Sequence, residues 1–118
     1  MAEKDRLGRY GEDVAVRYLQ GAGLVVLARN WRAAGGELDI IARDGSTVVF
    51  CEVKTRSGDG YGPPAAAVVG AKAQRIRRLA AAWLAEAGGG WAELRFDVVS
   101  VLCPRGRPPT VEHVRGAF

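Results

Sequence analysis

Glu37 and Asp39 stand one residue apart shortly before Asp44-Gly45, and Glu52 and Lys54 repeat that spacing after it. All lie in GELDIIARDGSTVVFCEVKTR, the stretch from Gly36 to Arg56. Residues two apart on a β-strand share a face, so each pair projects from one side of its strand. A tight turn at Asp44-Gly45 would lay strands over 38–43 and 47–55 side by side. Three carboxylates and an ammonium then converge on one patch of sheet. Crowded carboxylates repel one another, and a bound divalent cation is the simplest remedy. The bland alternative is a Glu52–Lys54 ion pair at a fraying strand end. For that pair alone it is the better account; the two acids on the neighbouring strand turn the preference toward a metal site.

The elements that must hold these residues are legible from periodicity. Val48, Phe50, Glu52 and Lys54 share one strand face, and Val49, Cys51 and Val53 the other. Both faces are apolar up to Glu52, as in an interior strand covered on two sides. A charge ending such a strand is costly unless paired or metal-bound. Upstream, Leu7, Tyr10, Val14 and Tyr18 recur at helical spacing beside Gly11 and Ala15, which predicts a helix over 3–21 stopped by Gly21 and Gly23. A strand from Leu24 through Asn30-Trp31-Arg32 and a turn over 33–36 lead into the hairpin. Downstream, the Gly- and Pro-rich SGDGYGPP (57–64) reads as a loop. A helical pattern over 65–86 follows, interrupted near Gly70, with Ile76, Leu79, Ala80, Trp83 and Leu84 as its apolar stripe. The segment 94–102 reads as another interior strand, 103–109 as a loop and 111–114 as a short edge strand.

The 118 residues make one domain, 1–118, with a real core. Net charge is +4, from 17 Lys and Arg against 13 acids, an excess that suits a polyanion if it is clustered. No apolar run approaches the roughly 20 residues that span a bilayer, so no membrane partner is expected. MAEKDRLGRYGED lacks the apolar core of a signal peptide, and two cysteines make no disulfide framework. The cytoplasm is the expected location.

The order helix–strands–helix–strand, with acids on a central hairpin, resembles the restriction-endonuclease-like PD-(D/E)XK superfamily. Within it the chain resembles the small YraN family, similar in fold to archaeal Holliday-junction resolvases. The carriers are Gly11-Glu12 with Ala15, Tyr18 and Leu19; Asn30-Trp31-Arg32; Gly36–Ile41; Phe50–Arg56; Lys72 with Arg75 and Ile76; and Arg95–Val99. Leu38, not proline, precedes Asp39, a departure that leaves activity as an expectation. The resemblance implies an α/β fold with a mixed central sheet flanked by helices. It implies that Asp39 and Glu52, helped by the Val53 carbonyl, hold Mg²⁺ or Mn²⁺, since hard cations prefer oxygen ligands. Lys54 would stand beside the attacking water. Glu12 corresponds to an extra acid of resolvase-like members, although a surface helix acid accounts for it equally well. Glu37 is an accessory acid that tunes the site, binds a second metal or is simply solvated.

Arg75 and Arg78 lie off the apolar stripe of the second helix, with Lys72 in its first turns. Such a row can bind phosphate without base specificity, the alternative being a solvated basic face. Arg56 and the loop after it are better placed for substrate, and Tyr61 could stack on a base. Trp31, Trp83 and Trp91 read as packing residues, Asp97 as half of a structural salt bridge, and Cys51 as an inert buried thiol. His113 has no evident partner and receives no role. The leading expectation is a metal-dependent nuclease acting on DNA, with branched or recombining DNA as the substrate class. A homodimer is what the resolvase likeness suggests. The competing expectation is a catalytically inactive nucleic-acid-binding module on the same fold. A glycosidase, which also uses paired carboxylates, fits the lysine after Glu52 less well.

Overall fold

A computed structural model describes residues 3–58 and 70–118. The order is α1 (Glu3–Gly21), β1 (Val25–Ala33), β2 (Gly36–Asp44), β3 (Thr47–Arg56), α2 (Gly70–Ala87), β4 (Glu93–Leu102) and β5 (Thr110–Val114). The strands form one mixed sheet in the order β1-β2-β3-β4-β5. All neighbours are antiparallel except β3 and β4, which α2 joins as a crossover. The expected loop beyond Gly58, Tyr61 within it and the start of the second helical pattern at 65–69 lie outside the described residues.

Local chemistry explains the boundaries. Gly23, at φ 95°, closes α1: its N–H donates to the Gln20 carbonyl, and the Leu24 N–H donates to that of Leu19. These are the two bonds of a glycine-terminated helix end. The β2–β3 hairpin closes through Gly45-Ser46, between the paired residues Asp44 and Thr47. Gly45 sits at φ 61°, as the first central residue of a II′ turn must.

The two helices cover opposite faces of the sheet. Val14, Ala15 and Leu19 of α1 pack on Ile40, Ala42, Val49, Cys51, Val99 and Val101. Ala73, Ile76, Leu79 and Ala80 of α2 pack on Ile41, Val48, Phe50 and Val98, with all three tryptophans around that cluster. Phe50 is buried among rings, stacked at 5.4 Å on Phe96 and edge-on at 5.9 Å to Trp83. Burying a side chain of that size stabilises by roughly 1.5–3 kcal/mol.

The seam of α1 is rotated from the expected stripe. Tyr10 and Tyr18 are exposed, and the buried line runs through Gly11, Val14, Ala15 and Leu19. The cause is close approach at Gly11, where any Cβ would run into the side chain of Thr55 on β3. Thr55 is β-branched and stiff, so it has little room to yield.

Asp97 is the only fully buried polar or charged residue among those described. Arg95 grips it through Nε and a terminal nitrogen at 2.9 and 3.0 Å, and the Gly116 N–H donates to it at 3.0 Å. His113, given no role from sequence, contacts the same carboxylate through Nε2 at 2.7 Å and meets the Tyr18 ring edge-on. Only pairing across β4 and β5 reveals that partnership. Burial acts to raise the Asp97 pKa, but its bonds to His113, Arg95 and Gly116 outweigh it and hold the carboxyl below the ordinary range.

Candidate functional site

The ladder between β2 and β3 runs from Asp44–Thr47 to Ile40–Cys51 and ends there. β3 continues to Arg56, still paired with β4. At the fork, Asp39 replaces the missing ladder bond with its side chain: Oδ2 accepts from the Val53 N–H at 2.8 Å. Leu38 and Ile41, three residues apart, lie in the same apolar cluster, so simple alternation breaks around Asp39. Across on β1, Asn30 adopts φ 51°, a left-handed conformation that asparagine tolerates better than most residues.

This fork brings Asp39 beside Glu52. Burial and then the charge of Glu52 push the Asp39 carboxyl up to about 7; the Val53 N–H opposes the shift and Glu12 adds to it. Two ammonium groups answer Glu52, both at Oε1: Lys72 at 2.8 Å and Lys54 at 3.5 Å. Lys54 is driven below its ordinary pKa by burial and then by adjacent Lys72. Burial opposes a charged Lys72 as well, but Glu52 prevails and the group is raised.

The expected convergence of three carboxylates is corrected. Glu37 is engaged by Asn30 at 3.2 Å and Arg32 at 3.0 Å, away from the pair. Arg32 is its direct partner across the β1–β2 ladder. Glu12 accepts from Asn30 at 3.1 Å and meets Arg29 at 3.5 Å, so the Asn30 amide links both acids, while Glu12 still acts on Asp39 by charge. These side chains line a groove of 790 Å³ together with Arg9 and Asp13. Among the described residues, no group of three or more His, Cys, Asp or Glu is arranged to hold a metal ion. Two adjacent carboxylates still suit Mg²⁺, which is usually bound through one or two carboxylates and keeps several waters. The Asp39 carboxyl is raised first by burial and then by Glu52, and a dication at the pair would favour its ionised form.

Lys72 moves from the expected phosphate row into the site itself. Arg75 and Arg78 are exposed and follow it at helical i, i+3 spacing, with Arg75 lying along Gly36. Arg56 ends β3 and is half-buried. Arg77, not singled out from sequence, lies over Phe96 and Phe118 instead. Arg29 was also missed; it ties β1 to α1 through Asp13 at 2.7 Å. Cys51 is buried, and burial and then Asp97 push its thiol far up, which leaves it inert.

The Asp39 environment has a consequence for stability. The folded protein keeps a proton to about pH 7 that the unfolded chain releases near 3.8. Stability is therefore lost as pH rises through that window and stays lower above it. In metal-free protein, Asp39→Asn keeps an acceptor for Val53 and cannot ionise. It is expected to stabilise at pH 8 by roughly 1–3 kcal/mol, an advantage that shrinks toward pH 4. Urea unfolding with chelator across that range measures it; a difference that does not vary with pH would refute the account.

Fold and site together define an α/β protein with a mixed five-stranded sheet, two flanking helices and a carboxylate–lysine cluster where two strands part. No helix among the described residues is long and apolar enough to cross a membrane. The chain belongs to the uncharacterised protein family UPF0102, whose model matches residues 11–101. It is 58% identical to a UPF0102 protein of Frankia casuarinae, over all of both chains. It is 53% identical to one of Nocardia farcinica, covering all of this chain and 93% of the relative. A third, from Rhodococcus jostii, is 52% identical over both full lengths.

Proposed function

We propose that this protein is a metal-dependent nuclease of the restriction-endonuclease-like PD-(D/E)XK kind that hydrolyses DNA phosphodiester bonds, with branched or recombining DNA as its substrate class. The observation that carries the reading is the pairing of Asp39 with Glu52 at the fork, with Lys54 reaching the same carboxylate. Asp39, Glu52 and the Val53 carbonyl would hold Mg²⁺ or Mn²⁺. When bound, such an ion supplies Lewis acidity and a water of lowered pKa.

The chain's own groups supply the remaining roles. Lys54, half-buried beside Glu52, stabilises negative charge developing on the attacked phosphate. Glu12 adds charge at Asp39 from the other helix, and the Asn30 amide fixes its carboxylate. Arg56, Arg75 and Arg78 bind the DNA backbone without reading sequence, and two copies of the chain would serve two strands. A second reading, a binding module without catalysis, draws on one observation: Lys72 already neutralises Glu52 without any metal.

Incubating the protein with linear, single-stranded and four-way DNA, with Mg²⁺, Mn²⁺ or chelator, separates the two. Divalent-dependent cleavage is expected, and Lys54→Ala should slow it by roughly 10²–10³-fold while DNA binding stays near wild type. DNA binding with no cleavage and no metal affinity would hand the case to the binding module. Cleavage undiminished in Lys54→Ala points to a contaminant.

A further inference from the structure

Both ammonium groups at Glu52 approach one atom, Oε1, and Lys72 is the nearer by 2.8 to 3.5 Å. The carboxylate's side chain is only 12% exposed, so little water competes for it. Lys54 is carried two residues along on the same strand, whereas Lys72 reaches across from the first turns of α2. A dication shared by Asp39 and Glu52 would stand close to Lys72, and its charge would weaken the hold of that ammonium on Glu52. The released ammonium would face both the dication and Lys54, and like charges at such separations repel. It needs another anion. A lysine is suited to the move, being a compact charge on a flexible four-carbon stem. The exposed Arg75 and Arg78 follow Lys72 along α2, so a polyanionic backbone lying on them brings a phosphate to its end of the row.

We infer that Lys72 is an exchange cation. It holds Glu52 in the metal-free protein and passes from that carboxylate to a backbone phosphate when a divalent ion binds, which makes metal binding and phosphate binding depend on each other. The inference rests on the nuclease reading and adds to it a positioning residue outside the Asp–Glu–Lys set. No covalent step is involved; one ion pair is exchanged for two others. By linkage, DNA strengthens metal binding by the same factor by which metal strengthens DNA binding.

The test is Mn²⁺ titration of the full chain, read by the resonance of free Mn²⁺, alone and with a four-way DNA junction. Cleaved product keeps its phosphates, so turnover does not remove the probe. Wild type should bind Mn²⁺ at least about tenfold more tightly with DNA than without it. Lys72→Met should bind Mn²⁺ alone roughly tenfold more tightly than wild type and lose most of the DNA effect. Lys72→Arg, which still pairs with Glu52, should keep the weak metal binding of wild type and thereby control for folding. If Lys72→Met binds Mn²⁺ no more tightly than wild type while Glu52→Gln abolishes binding, the exchange is wrong and the nuclease reading stands. If neither wild type nor Lys72→Met binds Mn²⁺ with or without DNA, the nuclease reading falls and the exchange falls with it.

Discussion

Asp39→Ala and Glu52→Ala are each expected to lower the rate of phosphodiester hydrolysis by roughly 10³-fold or more. Each removes one of the two carboxylates at the fork and, on the proposed reading, the means to hold a cation beside Lys54. A bound ion stabilises the transition state by several kcal/mol, and every 1.36 kcal/mol is about tenfold in rate. The two variants should part company elsewhere. Asp39→Ala also strips the Val53 N–H of its acceptor, so it loosens the edge of β3. Glu52→Ala leaves two ammonium groups without their carboxylate and should tighten metal-free DNA binding, because an acid that repels phosphate has gone. Single-turnover cleavage with parallel measurements of metal and DNA affinity reads all three effects. Activity within tenfold of wild type in both variants would remove the carboxylate pair from the chemistry.

Asp97→Ala is expected to cost 3–5 kcal/mol of stability, roughly the penalty for deleting one partner of a buried ion pair. Arg95, His113 and the Gly116 N–H all lose their common acceptor. His113 is especially exposed to that loss, since its Nδ1 is already buried without a partner among the described residues. Because domains are stable by about 5–15 kcal/mol in all, the variant should be marginal at best. The pH behaviour runs opposite to that of Asp39. A carboxyl held below its ordinary pKa gives stability that is present above the unfolded value near 3.8 and lost as pH falls toward the lower folded value. Wild type should therefore weaken below about pH 4, and Asp97→Asn should flatten that limb. Urea midpoints across pH decide it; an Asp97→Ala protein within 1 kcal/mol of wild type would show the cluster to be ornamental, given that surface substitutions stay within about 0.5 kcal/mol.

What the sequence disclosed follows from what is local. Asp44-Gly45 announced the hairpin, and alternation put Glu52 and Lys54 on one face. The stripe Ile76, Leu79, Ala80 and Trp83 matched the face that α2 packs on the sheet. Errors arose where a remote residue decides the outcome. Strict alternation would keep Glu37 with Asp39, but Glu37 is engaged on β1 by Asn30 and by its cross-strand partner Arg32. The tyrosines of α1 looked like core until Gly11 and Thr55 set the rotation of the helix. Lys72 reads as one of several basic residues on a helix surface, and only the docking of α2 turns it toward Glu52. The nuclease reading itself came from resemblance rather than periodicity.

Thr55 follows Lys54 directly, and its side chain lies against the bare backbone of Gly11. Along this part of β3, one edge is hydrogen-bonded to β4, the other is tethered by a carboxylate, and the back meets α1 through the Thr55 side chain at Gly11. The strand is thus held as in a jig, by a ladder, a strut and a hard stop. The opposite face bears Glu52 and Lys54, and there α2 brings Lys72 against Glu52. The aim of those two side chains accordingly depends on Gly11 of α1, where the approach of Thr55 leaves no room for a methyl group.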